Sequence, residues 1–237
     1  MIEGLVSICL PTTGRAQAAV DCVARCLDTA PAWPIEVCCA VDVDKESAVL
    51  LDAFLGGYAG DNLHGWAIRY SDHYQGQPAA WNAALQASHG EYVVFAADDL
   101  YWGAGWLDAA MACMATLPDG GGLVGFNDLH RTNAMRREST HYLASRRFVI
   151  EHLNGCIGFP HYKGACNDSE ACGRARQVGL YVPCYDAVVE HRHYNHGLRK
   201  MDATDQMWHA SKRKSLGEFR RRAQAGFPND FEPAIRE

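Results

Sequence analysis

Tyr92-Val93-Val94-Phe95-Ala96-Ala97-Asp98-Asp99-Leu100-Tyr101-Trp102 joins an apolar run to two adjacent carboxylates and then to aromatics. β-branched and aromatic residues without polar alternation predict a central strand buried on both faces. Acids at its carboxyl end must be paired, solvated or neutralised by a cation, because an isolated buried carboxylate is very costly. Ligands of open α/β sheets bind outside the carboxyl ends of strands, so Asp98 and Asp99 become candidates for a cation and phosphate site. A solvated Asp-Asp turn capping the helix near Trp106 is the plainer alternative.

Upstream, strands alternate with helices. Leu5–Leu10 is the first strand, and Pro11-Thr12-Thr13-Gly14-Arg15 turns it into a helix over 16–29. The hydroxyls and Arg15 supply donors suited to phosphate, although a capped strand-to-helix turn has the same composition. Ile35–Val41 is the second strand. Asp42 follows where a βαβ unit often meets a ribose or base, while Asp44 suits a helix cap. Trp66–Tyr70 is a third strand, and Gly76 and Pro78 open a helix that carries Asn82 and runs to Gln86. This alternation predicts a layered, mostly parallel α/β sheet. No GxGxxG loop is present, which disfavours a dinucleotide site.

Downstream the pattern is less regular. A helix over 106–117 and a strand over 123–126 lead to a polar, Arg-containing loop at 127–138, a lid or acceptor surface if it is not simply exposed. Gly155–Gly164 reads as a shaped loop. Asp168-Ser169-Glu170 opens another helix, where acids also suit the helix dipole. His191, His193 and His196 fall within six residues. Neutral imidazoles ligate metals, and in an extended segment His191 and His193 share a face. A helix over 202–225 carries Lys212-Arg213-Lys214 and Arg220-Arg221-Arg222, a solvated face or a contact for phosphate groups or an anionic surface. Residues 226–237 read as a tail on one domain spanning 1–225.

The totals exclude several classes. The 237 residues are 48% hydrophobic and 21% charged, enough for a real core. A net charge of -6 argues against a general nucleic-acid-binding surface. No apolar run approaches the roughly 20 residues that span a bilayer, and Met1-Ile2-Glu3-Gly4 carries no charged leader, so a cytoplasmic location is expected. Ten cysteines without a CxxC pair read as small core residues in a reducing compartment.

In order and spacing these pieces resemble the GT-A glycosyltransferases, especially the family-2-like nucleotide-sugar enzymes. The resemblance spans roughly residues 5 to 205. It rests on Leu10-Pro11-Thr12-Thr13-Gly14-Arg15, Asp42, Gly76-Gln77-Pro78-Ala79-Ala80-Trp81-Asn82, the Asp98-Asp99 pair, Asp168-Ser169-Glu170 and Val189-Glu190-His191-Arg192-His193. It implies a layered α/β/α GT-A fold with a donor-binding half at about 1–127 and an acceptor half at about 128–205.

The implied activity is sugar transfer from a nucleotide-diphosphate sugar, with uracil donors common in such families, to a carbohydrate or other hydroxyl acceptor, with inversion. Asp99 resembles the last acid of the DXD motif and Asp98 the middle one, with Ala97 in first position. Asp99, His191 and Asp98 are the implied ligands of Mn²⁺ or Mg²⁺. Asp168 aligns with the general base, Asn167 standing where its Glu partner would be and Glu170 serving as the spare. Pro11, Thr12, Arg15, Asp42, Gly76, Asn82 and Asp98 are the implied donor contacts, and Arg199 and Lys200 would fold over the diphosphate. A sugar-phosphate nucleotidyltransferase, a zinc hydrolase using Asp98, Asp99, His191 and His193, and a non-catalytic carbohydrate-binding module are the rivals.

Overall fold

The computed structural model describes residues 1–236, apart from the side chains of Trp208 and Ser211. Three βα units build its first half: β1 (Ile2–Thr12), α1 (Ala16–Asp28), β2 (Ile35–Asp42), α2 (Lys45–Gly57), β3 (Leu63–Ser71) and α3 (Gln77–Gln86). Then follow β4 (Gly90–Phe95), β5 (Leu100–Trp102), α4 (Trp106–Met114), β6 (Leu123–Asn127), β7 (Tyr142–Ser145), α5 (Arg146–His152), α6 (Asn167–Gln177), β8 (Tyr181–His191) and α7 (Ala203–Gln224). The sheet order is β3-β2-β1-β4-β7-β6-β8-β5. β1 pairs in parallel with β2 and β4, β2 with β3, and β6 with β8. β7 and β5 run antiparallel to their neighbours.

Alternation along the strands divides the core into two layers. Val6, Ile8 and Leu10 of β1 and Val94 of β4 pack with α1, α2 and α4. Cys9, Val93 and Phe95 point the other way, onto α3, α5 and α6. Every position of β2 is buried; its Ile35 and residues 37–41 suit a strand covered on both faces, and the buried Glu36 accepts from Ser7 Oγ at 2.5 Å and Gly90 N at 2.8 Å. Phe95 anchors the second layer, stacked between Trp81 at 4.0 Å and Tyr142 at 4.9 Å. All ten cysteines are free and nine are buried, consistent with core packing.

The departures from expectation lie in the second half. β7 and α5 carry little sequence signal: the strand has four residues, and α5 opens on two arginines. Arg146 is nevertheless buried, donating to the Gly90 carbonyl at 2.5 Å and to Ser88 Oγ at 2.7 Å. β8 begins seven residues before Val188, where Pro183 and an exposed edge obscure it, and its pairing with β6 shifts register between Phe126 and Asn127. The segment read as a tail lies against the body. Phe227 is buried, Asn154 Nδ2 donates to the Phe231 carbonyl at 2.8 Å, and Ile235 N donates to Gly155 O at 3.0 Å. Among the described residues no helix is long and apolar enough to cross a membrane.

Candidate active site

The carboxyl ends of β1, β2 and β4 open into a cleft of about 460 Å³. Its far wall comes from the 131–141 segment, the start of α6, the end of β8 and α7. β4 ends at Phe95, and the next four residues turn Asp98 and Asp99 into the cleft before β5 begins. β5 pairs with β8 in a register that sets Leu100 opposite His191. This register brings His191 beside Asp99 across 92 residues of chain. Arg192 N locks it by donating to the Asp99 carbonyl at 2.9 Å.

Asp98 is buried, Asp99 keeps only its backbone partly open, and both carboxylates are engaged. Asp98 accepts from Thr12 Oγ1 at 2.7 Å and from Arg15 Nη1 at 2.8 Å. Asp99 Oδ1 lies 3.2 Å from His191 Nε2, and Asp99 Oδ2 accepts from Arg199 Nη2 at 3.0 Å. Arg15 also donates to Asp202 at 2.8 Å and to Asp205 at 2.7 Å, tying the β1 turn and the acid pair to the start of α7. Asp202 caps that helix and Asp205 returns the bond in a capping box.

Burial is the largest influence on Asp98 and raises its pKa despite Arg15. Burial presses Asp99 upward too, but the charge and hydrogen bond of His191, with Arg15 and Arg199, outweigh it and hold Asp99 well below the usual range. His191 is raised in turn, because Asp99 overcomes the penalty of burial. Each group thus favours the charged form of the other.

Pro11, Thr12, Arg15, Asp42, Asp98, Asp99, Asp168 and His191 meet in the cleft, together with His193 and His196. Asp42 Oδ2 accepts the N–H groups of Gln75 at 2.9 Å and Gly76 at 3.0 Å, fixing the turn into α3. Gly76 has φ of +92°, a conformation suited to glycine, and its role is in that turn rather than the cleft wall. Asp168, near the start of α6, has its pKa pushed up to about 6 by burial and by Glu138.

Three expectations need correction. Glu170 is not a spare base: it is wholly buried away from the cleft, accepting from Arg222 at 2.9 and 3.0 Å, Arg174 at 2.9 Å and Tyr162 at 2.6 Å. It joins α6 to α7. Asn82 does not line the cleft; its Oδ1 accepts from Ile157 and Gly158 N–H at 3.1 and 2.9 Å, and its Nδ2 donates to Gly158 O at 2.6 Å. Gly158 is pressed so close that an added Cβ would lie 2.1 Å from the Pro78 carbonyl. Lys200 is exposed and not among the cleft-lining residues, whereas Arg199 reaches Asp99. The basic face of α7 is also smaller than its sequence suggests, since Arg222 is buried on Glu170 and Arg221 pairs with Glu218.

The sequence reading missed His141, which is buried, lines the cleft, leaves Nδ1 without a hydrogen bond and sits edge-on to His191 at 4.7 Å. No signal marked it, because β7 itself was not expected. The start of a helix at Asp202 was legible, but neither its capping box with Asp205 nor the bonds of both acids to Arg15. Among the described residues, no three His, Cys, Asp or Glu groups converge as a metal cage. A catalytic zinc uses three protein ligands, so the hydrolase reading lacks its ligand set.

A layered, mostly parallel sheet with acids at the end of a central strand and a cleft across the strand ends defines the GT-A class of fold. The sequence profile described as Glycosyl transferase family 2 matches residues 7–164, and the chain belongs to that family. It is thus a glycosyltransferase.

Solved structures carry the same fold at low identity. Mannosyltransferase PcManGT from Pyrobaculum calidifontis, in complex with GDP-Man and Mn²⁺, is 18% identical over 94% of this chain and 76% of its own, with a TM-score of 0.62. S. aureus TarS in complex with UDP-GlcNAc is 14% identical over 78% of this chain and 57% of its own, with a TM-score of 0.58. Glucosyl-3-phosphoglycerate synthase from Mycobacterium tuberculosis, in complex with Mn²⁺, UDP-Glc and glycerol 3-phosphate, is 17% identical over 95% and 81%, with a TM-score of 0.57. No curated protein sequence matches this one.

Proposed function

We propose that this glycosyltransferase moves a sugar from a nucleotide-diphosphate sugar to an acceptor hydroxyl, with a divalent cation, Mn²⁺ or Mg²⁺, and with inversion at the anomeric carbon. The observation that carries the reading is the 3.2 Å approach of His191 Nε2 to Asp99 Oδ1 in the same cleft that Asp168 lines. Two adjacent ligands of an octahedral ion at about 2.1 Å lie about 3 Å apart, so this pair fits neighbouring coordination positions. Mg²⁺-type sites commonly take one or two carboxylates and complete their shell with substrate phosphates and water. The absence of a third converging ligand among the described residues therefore suits a cation that arrives with its nucleotide. Asp99 and His191 would hold it, with Asp98 alongside. Bound there, the cation supplies Lewis-acid neutralisation of the charge that develops on the departing diphosphate.

The remaining chemistry belongs to the chain. Arg15 and Arg199 hold the acids now and carry planar donor forks suited to phosphate oxygens. Pro11, Thr12 and Asp42 line the end of the cleft assigned to the nucleotide. Asp168 accepts the proton of the acceptor hydroxyl as its oxygen bonds to the anomeric carbon. The bond from that carbon to the diphosphate breaks, and its electron pair leaves with the nucleoside diphosphate. Attack opposite the leaving group inverts the centre. A carboxyl with a pKa near 6 is ionised at neutral pH and a stronger base than an ordinary aspartate.

Both guanosine and uridine donors occur among the structural relatives, bound to those proteins. A thermal-shift panel of GDP, UDP and dTDP with and without Mn²⁺ tests the donor assignment. One nucleoside diphosphate should stabilise the protein only with the cation, and stabilisation by none would remove the reading.

A further inference from the structure

One imidazole in the cleft has no work inside the protein. His141 is 4% exposed and lines the cleft, and its Nδ1 is enclosed without a hydrogen bond. Among the described residues the ring makes no hydrogen bond to the protein. The two residues before it are partnered. Ser139 Oγ shares a hydrogen bond with Tyr181 Oη at 3.2 Å, and Thr140 Oγ1 donates to Asp128 Oδ2 at 3.1 Å. Buried polar side chains are nearly always hydrogen-bonded, and burying one without a partner is costly. A phenylalanine or leucine would fill the same space without that cost.

The fold fixes where this ring stands. Phe126 N donates to the His141 carbonyl at 3.0 Å, and the next residue, Tyr142, pairs with Phe95 of β4. The ring lies edge-on to His191 at 4.7 Å and tilted against Phe95 at 6.1 Å. Asp168 acts electrostatically on His191, the ring beside His141, and on Tyr142, the residue after it. In the proposed reaction Asp99 and His191 mark the diphosphate end of the cleft and Asp168 the acceptor end. In-line attack requires the anomeric carbon to lie between the two, so the transferred sugar lies against the stretch of wall that His141 forms.

Resting on the glycosyl-transfer reading, we propose that His141 is a contact for the transferred sugar, its imidazole hydrogen-bonding a hydroxyl of the donor's sugar ring and so reading the sugar rather than the nucleotide. An enclosed nitrogen without a partner is better a bare lone pair than an N–H. That places the proton of a neutral His141 on Nε2 and makes Nε2 the donor to the hydroxyl oxygen. A nucleoside diphosphate without its sugar makes no use of the ring.

The test is calorimetric titration with Mn²⁺ of UDP, GDP and dTDP and of UDP-glucose, UDP-N-acetylglucosamine, GDP-mannose and dTDP-glucose. The nucleotide sugar that binds most tightly is read against its own nucleoside diphosphate. His141→Phe keeps an aromatic ring beside His191 and removes both nitrogens. The nucleotide sugar should then bind about tenfold more weakly or worse, while the nucleoside diphosphate stays within about twofold. His141→Leu should change the same ratio in the same direction, so the test stands if one variant fails to fold. Because a ratio of dissociation constants is read within each variant, a smaller folded fraction does not imitate the effect. A ratio within about twofold of native in a folded variant, or equal weakening of nucleotide sugar and nucleoside diphosphate, overturns the proposal. If the native protein still binds its nucleoside diphosphate only with Mn²⁺, the assignment of His141 falls alone. Absence of that binding removes the transfer reading and this inference with it.

Discussion

Replacing Asp168 by Asn keeps the shape of the side chain and removes the proton acceptor. Base catalysis by a positioned carboxylate contributes typically ~10²–10⁴-fold, so kcat should fall by about that factor while the Kd for donor and Mn²⁺ stays within about twofold. The raised pKa adds a second signature. With a folded pKa of about 6, Asp168 is nearly all ionised at pH 7.5, whereas roughly one carboxyl in ten is ionised at pH 5. A base acts only when ionised, so kcat/KM of the native protein should drop about tenfold between those values, with a limb of unit slope. The residual activity of Asp168→Asn should lack that limb. The assay is initial-rate release of nucleoside diphosphate with an accepted acceptor across pH 5–8, paired with calorimetric donor titration. A variant retaining more than about a tenth of native kcat, or keeping the acidic limb, would refute the assignment of Asp168.

Other substitutions separate chemistry from scaffold. Asp99→Asn and His191→Ala should each weaken Mn²⁺-dependent nucleoside diphosphate binding by about tenfold or more by calorimetry, and each should also lower the melting temperature of the nucleotide-free protein, because it breaks the Asp99–His191 pair. Glu170→Gln leaves Arg222 and Arg174 buried without their carboxylate, and truncating one side of a buried ion pair costs about 3–5 kcal/mol. Urea unfolding should show that loss, whereas a catalytic Glu170 would lower kcat at unchanged stability. Asn82→Ala strips two buried backbone N–H groups of their acceptor, costing about 1–3 kcal/mol. Its donor Kd should stay unchanged, and a tenfold rise would return Asn82 to the nucleotide site.

Periodicity and punctuation were enough for the first half of the chain. β1, β2 and β4 are mostly apolar because both sheet faces are covered, and Gly14, Gly76 and Pro78 mark where the chain turns, whereas Pro11 lies inside β1 opposite Ala40. Asp98 and Asp99 were legible because two charges at the end of an apolar strand need partners. The partners were less legible, since they are long-range. Arg15 finds Asp205 across 190 residues, and His191 finds Asp99 through a register invisible in either segment alone. Glu170 and Asn82 were misassigned for one reason. A polar residue near a motif looks alike whether it faces a ligand or satisfies a buried arginine or a tight loop. β7 and His141 escaped because four residues are too few for alternation to register.

Pulsed electron paramagnetic resonance of Mn²⁺ bound with the selected nucleoside diphosphate tests most directly whether Asp99 and His191 hold the cation against the diphosphate. Modulation from one imidazole nitrogen together with phosphorus coupling is expected, with the nitrogen signal absent in His191→Ala. Phosphorus coupling without an imidazole nitrogen in the native protein, or a nitrogen signal that survives His191→Ala, would contradict it.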